Sequence, residues 1–305
     1  MRAPPPVLDK LEYLIALSRE QHFGHAAETC GVTQPTLSAG IKQLEETLGV
    51  LLVQRGSRFI GLTPEGQRTL DWARRIVGDA RAMREEIKAL RHGLTGQLRI
   101  AAIPTTLAMV AALTTPFRAR HPDVRFTILS RTSIEILNAL ENLQIDAGLT
   151  YLDNEPLGRV SAVPLYHERY QLLTASDAPL GDHNTVTWAE VAQVPLCLLT
   201  PDMQNRRIID GLLRAAGGEP QPTLESDSMI ALFAHVRTGR WASVMPAQLA
   251  ETLGLTATIR AIPIVEPEVM HTIGLVVPMR EPMTPLTAAL VAEARRLAVR
   301  MGEKM

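Results

Sequence analysis

Apolar positions recur at helical spacing through the first ninety residues, then mostly at strand spacing. Over residues 8–20, Leu8, Leu11, Leu14, Ile15 and Ser18 fall on one side, which predicts an amphipathic helix. Ala26, Ala27 and Cys30 suit a short, tightly packed second helix, with Gly31 placed to end it. Thr33 can cap a third helix, and Pro35 fits its first turn. Leu37, Ile41, Leu44 and Leu48 then repeat at four, three and four until Gly49. Two short helices meeting at a glycine turn form a helix-turn-helix layout. Residues 51–63 read as two short strands around a Gly-Ser turn, with Arg55 and Arg58 flanking the tip. Thr63, Pro64 and Glu65 carry the signals that open a helix. Leu70, Ala73, Val77, Ala80, Met83, Ile87 and Leu90 continue it at near-heptad spacing, so packing against a partner helix is expected. At ~1.5 Å per residue, such a helix over 63–91 spans roughly 40 Å.

From Gln97 the texture changes. LRIAAI, VRFTIL and IDAGLTY are strand-like and alternate with helical stretches near 106–119 and 133–143. This rhythm predicts βαβ units and a parallel sheet. Residues 160–174 are extended. A second run of the same kind follows: PLCLLT, helices near 203–216 and 228–238, and the strand WASVMP. Two late strands and a helix over 284–300 close the chain. Two similar Rossmann-like α/β lobes are expected, with the chain crossing near 160–164 and returning near 262–268. The predicted domains are a winged helix-turn-helix over 8–65, a linker helix over 66–93 and a sensor over 94–305. Within the sensor, lobe I takes 94–162 and 266–305, and lobe II takes 163–265.

Composition narrows the function classes. Apolar residues make up 46% of the 305, enough for sizeable cores, while aromatics are 4%, so Leu, Ile, Val, Ala and Met must build them. No apolar run is long enough to span a bilayer, and residues 1–6 lack the apolar stretch of an export signal. A cytoplasmic protein with no membrane association is expected. The two cysteines, Cys30 and Cys197, fit a reducing compartment. Residues 1–92 carry a net charge of +2 and the remainder −3. Any nucleic-acid surface must therefore come from local placement of cations and helix N-termini.

That placement is visible in the third helix. With its leucines inward, Gln34, Thr36, Ser38, Ala39, Lys42 and Gln43 are free to face out. Gln pairs with adenine edges, Ser and Thr with several edges or phosphates, and Ala with a thymine methyl. Residues 33–36, Thr33 and Pro35 included, add the positive end of a helix, which attracts phosphate. Lys42 offers a cation to the DNA backbone, while Arg55, Ser57 and Arg58 suit a wing touching phosphate or the minor groove.

The segments His22-Phe23-Gly24-His25-Ala26-Ala27, Val32 to Ser38, Ile41-x-x-Leu44-Glu45-x-x-Leu48-Gly49, Leu52-Val53-x-Arg55 and Leu62-Thr63-x-x-Gly66 together closely resemble the LysR-type transcriptional regulators. The resemblance is dense over 8–66 and looser to the C-terminus. It implies a dimerising linker helix, a sensor fold like the periplasmic binding proteins, and a homotetramer on a double-stranded DNA operator. Two positions depart from the family pattern. Gly40 stands where a larger or basic residue is frequent, so one DNA contact is expected to be lost, and Leu52 stands where Phe is common.

Open α/β folds bind ligands beyond the carboxyl ends of their strands. That rule selects Pro104, Thr105 and Thr106, then Arg131, Thr132 and Ser133, then Thr200, Pro201 and Asp202. Each turn offers a hydroxyl and opens a helix, which suits a small anion such as a carboxylate. Arg206 or Arg131 could supply the counter-charge. The family resemblance implies effector contacts at Thr105 and Ser133. The sensor half also resembles a subgroup associated with formate-dehydrogenase operons, which implies a one-carbon or other small carboxylate effector such as formate.

No metal or cofactor is expected. His22, His25 and Cys30 lack the fourth ligand a zinc site needs, and Cys30 and Cys197 read as inert thiols. No G-x-S-x-G, P-loop or H-E-x-x-H motif occurs. The sequence thus predicts a ligand-responsive DNA-binding regulator. The alternative is a small-molecule-binding protein or enzyme whose N-terminal helices serve only assembly.

Overall fold

The computed structural model describes residues 7–55, 59–255 and 257–302. The chain divides into two compact units, one built on residues up to Gly93 together with Glu141–Gln144 and Pro282–Pro285, the other on the remainder from Leu94.

The first unit opens with α1 (Val7–Glu20), α2 (Phe23–Thr29) and α3 (Gln34–Leu48). Leu14, Leu17, Ala26, Leu37, Ile41, Leu44, Leu52, Leu70 and Val77 share its core. The caps explain the boundaries. His22 Nδ1 accepts from the N–H groups of Gly24 and His25 at 3.1 and 3.3 Å and starts α2. The Thr33 side chain accepts from Thr36 N at 3.4 Å and starts α3, and Gly49 ends it in the left-handed conformation. A two-stranded hairpin follows, β1 (Val53–Arg55) with β2 (Phe59–Leu62). Glu45, buried on α3, fixes its entry by accepting from Leu52 N at 2.9 Å and Val53 N at 3.2 Å.

Helix α4 (Pro64–His92) begins at Thr63, whose hydroxyl accepts from Gly66 N at 2.9 Å. A side chain at Gly66 would drive its Cβ to 2.0 Å from the Leu52 carbonyl oxygen, which accounts for glycine there. Leu70, Ala73 and Val77 join the core. Trp72, Ile76, Met83, Ile87 and Leu90 remain exposed, Leu90 at 82%.

In the second unit, strands β3 (Gly96–Ala102), β4 (Val124–Ser130) and β5 (Ala147–Tyr151) run parallel. They are linked through a 3-10 turn (Pro104–Met109), α5 (Val110–Arg120) and α6 (Ser133–Glu141). The long strand β6 (Val160–Ala175) pairs antiparallel with β12 (Met270–Pro278) as far as Arg169. Beyond that it pairs with β10 (Ser243–Pro246) from Tyr170 and with β11 (Ile259–Val265) from Gln171. The chain therefore passes between lobes near 169–170, not at 160–164: one unbroken strand serves both, so extended texture alone does not mark the crossing.

Lobe II adds β7 (Val186–Thr187), α7 (Trp188–Val191), β8 (Cys197–Leu199) and α8 (Gln204–Ala215). It continues with β9 (Leu224–Ser226), α9 (Met229–Val236) and α10 (Ala247–Thr252), and α11 (Pro285–Gly302) follows β12. The main sheet runs in the order β4-β3-β5-β12-β6-β11-β7. Leu172, Trp188, Leu198, Ile209, Leu213 and Val244 fill one side of lobe II, and Leu173, Cys197, Leu232 and Met245 the other. The parallel sheet expected from sequence is mixed, because β6 and β12 enter it antiparallel. No helix among the described residues is long and apolar enough to cross a membrane.

Candidate DNA-reading face and ligand cleft

Helix α3 presents an open polar face. Gln34, Pro35, Thr36, Ala39 and Lys42 are exposed, and Ser38 and Gln43 are half-buried, while Leu37, Ile41 and Leu44 point into the core. Thr33, exposed at the cap, shares a 2.9 Å hydrogen bond with the Thr36 hydroxyl. Lys42 sits 3.7 Å from Glu46, and both side chains are solvated. Nothing among the described residues of this unit covers the face, so its donors, acceptors and helix end are available to a duplex groove.

Two expectations for this helix are corrected. Leu48 is 48% exposed, because α3 ends there and the chain turns away at Gly49. Gly40 is buried, and a Cβ there would sit 2.7 Å from the Tyr13 ring. It is a packing position facing α1, so glycine loses no DNA contact. Ser57, Arg58 and the Arg55 side chain lie outside the described residues.

The second unit places the three selected turns at strand ends. Thr105 follows β3 and is 3% exposed, yet its hydroxyl has no partner among the described residues. Ser133 opens α6 after β4 and donates to Glu155 Oε2 at 3.4 Å. Arg207, in the first turn of α8, donates to Glu155 Oε1 from Nε at 2.9 Å and Nη2 at 2.6 Å. Gln204 Nε2 donates to the Asp153 carbonyl at 3.1 Å.

Beside this edge lies a buried polar hub. Glu168, fully buried on β6, accepts a hydrogen bond from the Tyr151 hydroxyl. Asn205 Nδ2 donates to the same hydroxyl at 2.9 Å, and the Tyr170 hydroxyl lies 3.4 Å from it. His271 stands opposite Glu168 on β12, its Nδ1 3.3 Å from Asp153 Oδ1. Glu168 Oε2, the Tyr166 hydroxyl and His271 Nε2 are buried without partners among the described residues. Burial pushes the Glu168 carboxyl up to about 8, only partly offset by the Tyr151 hydrogen bond, and Asp153 pushes it the same way as burial. The hub occupies the stretch where β6 leaves one lobe for the other.

Comparison with known proteins decides what these parts belong to. The family described as bacterial regulatory helix-turn-helix protein, lysR family, matches residues 8–67, and the LysR substrate binding domain matches residues 91–298. The chain belongs to the LysR-type transcriptional regulators. A relative from Escherichia coli, the DNA-binding transcriptional dual regulator OxyR, is 28% identical over 95% of this chain and 94% of that protein. A hydrogen peroxide-inducible genes activator of Haemophilus influenzae is 28% identical over 87% of this chain and 88% of its own. Full-length OxyR from Pseudomonas aeruginosa, solved as a cysteine-to-aspartate variant, superposes with a TM-score of 0.74 at 26% identity, covering 94% of each chain. Full-length CbnR in complex with its target DNA superposes at 0.59 with 25% identity, over 95% of this chain and 99% of that one. As a LysR-type regulator the chain is a ligand-responsive DNA-binding transcription factor and not an enzyme. Members of this family bind operators and small-molecule effectors and oligomerise.

Within this LysR-type frame, several sequence-selected cleft residues have structural duties instead. The Thr106 hydroxyl donates back to the Ile103 carbonyl at 3.2 Å. Thr132 caps α6: its hydroxyl accepts from Glu135 N at 3.2 Å while its own N–H donates to Glu135 Oε2 at 2.8 Å. Arg206 is 4% exposed and binds Asp210 Oδ1 at 2.7 Å, Glu225 Oε1 at 2.6 Å and the Leu199 carbonyl at 2.7 Å. Two carboxylates saturate it, so it has no charge to offer an effector. Arg131 is exposed and donates to its neighbour Ser130. Thr200 is half-buried and its carbonyl accepts from Met203 N at 3.0 Å; Asp202 is exposed and its carbonyl accepts from Arg207 at 2.6 Å. Arg207, Glu155, Tyr151, Glu168, Asn205 and His271 are not singled out by the sequence pattern. For Arg207 a signal exists: Arg206 shares the inward face of α8 with Ile209, Asp210 and Leu213, and its neighbour must therefore turn outward.

Proposed function

We propose that the exposed face of α3 enters the major groove of an operator, with Gln34, Thr36 and Ser38 at base edges and Thr33, Lys42 and the wing at phosphates. The observation that carries this is the open Gln34–Thr36–Ala39–Lys42 face on a helix whose opposite side is locked into the core. The exposed stripe Ile76, Met83, Ile87 and Leu90 on α4 is the dimer contact, and two dimers assemble as a tetramer on DNA. The effector is a small carboxylate, formate among the candidates, held between the lobes near Thr105 and Ser133.

Peroxide chemistry, suggested by the names of relatives, fits the two thiols poorly. Burial pushes Cys197 up to about 11, and burial also raises Cys30. A redox-sensing cysteine needs a thiolate and solvent access, and Cys197 is fully buried.

The test is a gel shift against the flanking intergenic DNA over a salt series. Specific binding that weakens steeply with salt is expected. Lys42→Ala should weaken binding to every sequence, and Gln34→Ala should relax base preference by about 1–3 kcal/mol. Equal affinity for random DNA at every salt concentration would overturn the assignment.

A further inference from the structure

Glu155 occupies, inside the chain, the position assigned above to an effector carboxylate. It lies on the connection between β5 and β6 and reaches both lobes. One oxygen accepts from Ser133, at the start of α6 in lobe I, at 3.4 Å. The other accepts two hydrogen bonds from Arg207, in the first turn of α8 in lobe II, at 2.9 and 2.6 Å. Arg207 Nη1 is tied to the carbonyls of Pro201 and Asp202 at 3.3 and 2.6 Å. These bonds aim the guanidinium so that Nε and Nη2 form a fork of the kind that matches a carboxylate. The buried Thr105 hydroxyl, without a partner among the described residues, follows the strand next to the one that leads to Ser133.

The two neighbouring arginines differ in what they can release. Arg206 is buried between two carboxylates. Arg207 faces one, in a pair about one-third exposed on each side. Ion pairs of that kind are held weakly, because water competes for both partners. A carboxylate from solution can replace the Glu155 carboxylate with no change in the number of charges at Arg207.

We propose that Glu155 is a built-in stand-in for the effector: in the effector-free chain it holds Ser133 and Arg207, and a small carboxylate takes these donors by displacing it. The proposal rests on the cleft being the effector site. It makes Arg207 the cation of that site. The released Glu155 frees one of the links between the lobes, which is how occupancy reaches the β6 crossing near 169–170.

The test uses the full chain, with Glu155→Gln, Glu155→Ala and Arg207→Gln. Calorimetric titrations with formate and acetate are compared with formamide, the uncharged control. Removing the competitor is expected to tighten carboxylate binding about five- to tenfold in both Glu155 variants, because the open site no longer has to be released first. Arg207→Gln is expected to lose at least about tenfold, and formamide should show none of these differences. In a ligand-free hydrogen-exchange measurement, amides 204–207 should exchange faster in both Glu155 variants. Glu155 variants that bind carboxylate no more tightly than the wild type, with unchanged exchange at 204–207, would overturn the stand-in and leave the cleft as effector site. No heat with either carboxylate for any of the proteins would overturn the carboxylate effector itself, and the displacement with it.

Discussion

Two buried carboxyl groups act on stability in opposite ways. Glu45 satisfies the N–H groups of Leu52 and Val53, both of which are out of solvent. Glu45→Ala would leave these donors buried and unpaired, at a cost of about 2–4 kcal/mol, measurable as a lowered midpoint in denaturant. Glu168 is instead a liability above acid pH. Its carboxyl is pushed up to about 8 from an ordinary value of 4.5. In the unfolded chain it ionises near the ordinary value, so its contribution to folding is fully present below that and is lost as pH rises towards 8. Glu168→Gln cannot ionise. Its stability relative to the wild type should therefore rise between about pH 5 and 8, by on the order of a few kcal/mol. A difference that does not vary with pH would contradict the buried, raised carboxyl. Gly40→Ala should destabilise the first unit by about 1–3 kcal/mol, through overpacking on Tyr13. The same clash explains why a basic residue at this position could not simply add a DNA contact here.

Helix boundaries were legible from side chains because local chemistry sets them. Thr33 with Pro35, and Thr63 with Pro64, give the starts of α3 and α4, and the caps form from residues already adjacent in sequence. What sequence did not carry was the partner that each helix face meets. On α8 the spacing of Ile209 and Leu213 points Arg206 inward, but Glu225 and Glu155, which meet Arg206 and Arg207, come from other segments. On α4 the near-heptad stripe contains two faces. Leu70, Ala73 and Val77 belong to the chain's own core, whereas Met83, Ile87 and Leu90 lie exposed. If that exposed run is the dimer contact, Met83→Glu with Ile87→Glu should break it. Light scattering should then report a smaller assembly at equal concentration. An unchanged mass would place the dimer contact elsewhere.

For the whole molecule, the order of parts was readable and the closure of the sensor was not. The rhythm of strands and helices gives two α/β lobes, because parallel pairing requires crossover helices between strands. It does not reveal that β6 runs unbroken from one lobe to the other, since pairing with β12 or β11 leaves the same texture in β6 itself. Nor does it reveal the hub of Tyr151, Glu168 and Asn205, whose members come from two successive strands and the more remote α8. The proposed DNA recognition rests on the first unit and its exposed α3 face. Footprinting the full chain on its flanking intergenic DNA tests that role most directly. Two dyad-related half-sites about one helical turn apart, or a multiple of it, are expected, with protection lost in a folded Gln34→Ala, Thr36→Ala double variant. No protected dyad, or equal protection by that variant, would contradict the assignment of α3 as the DNA-reading element.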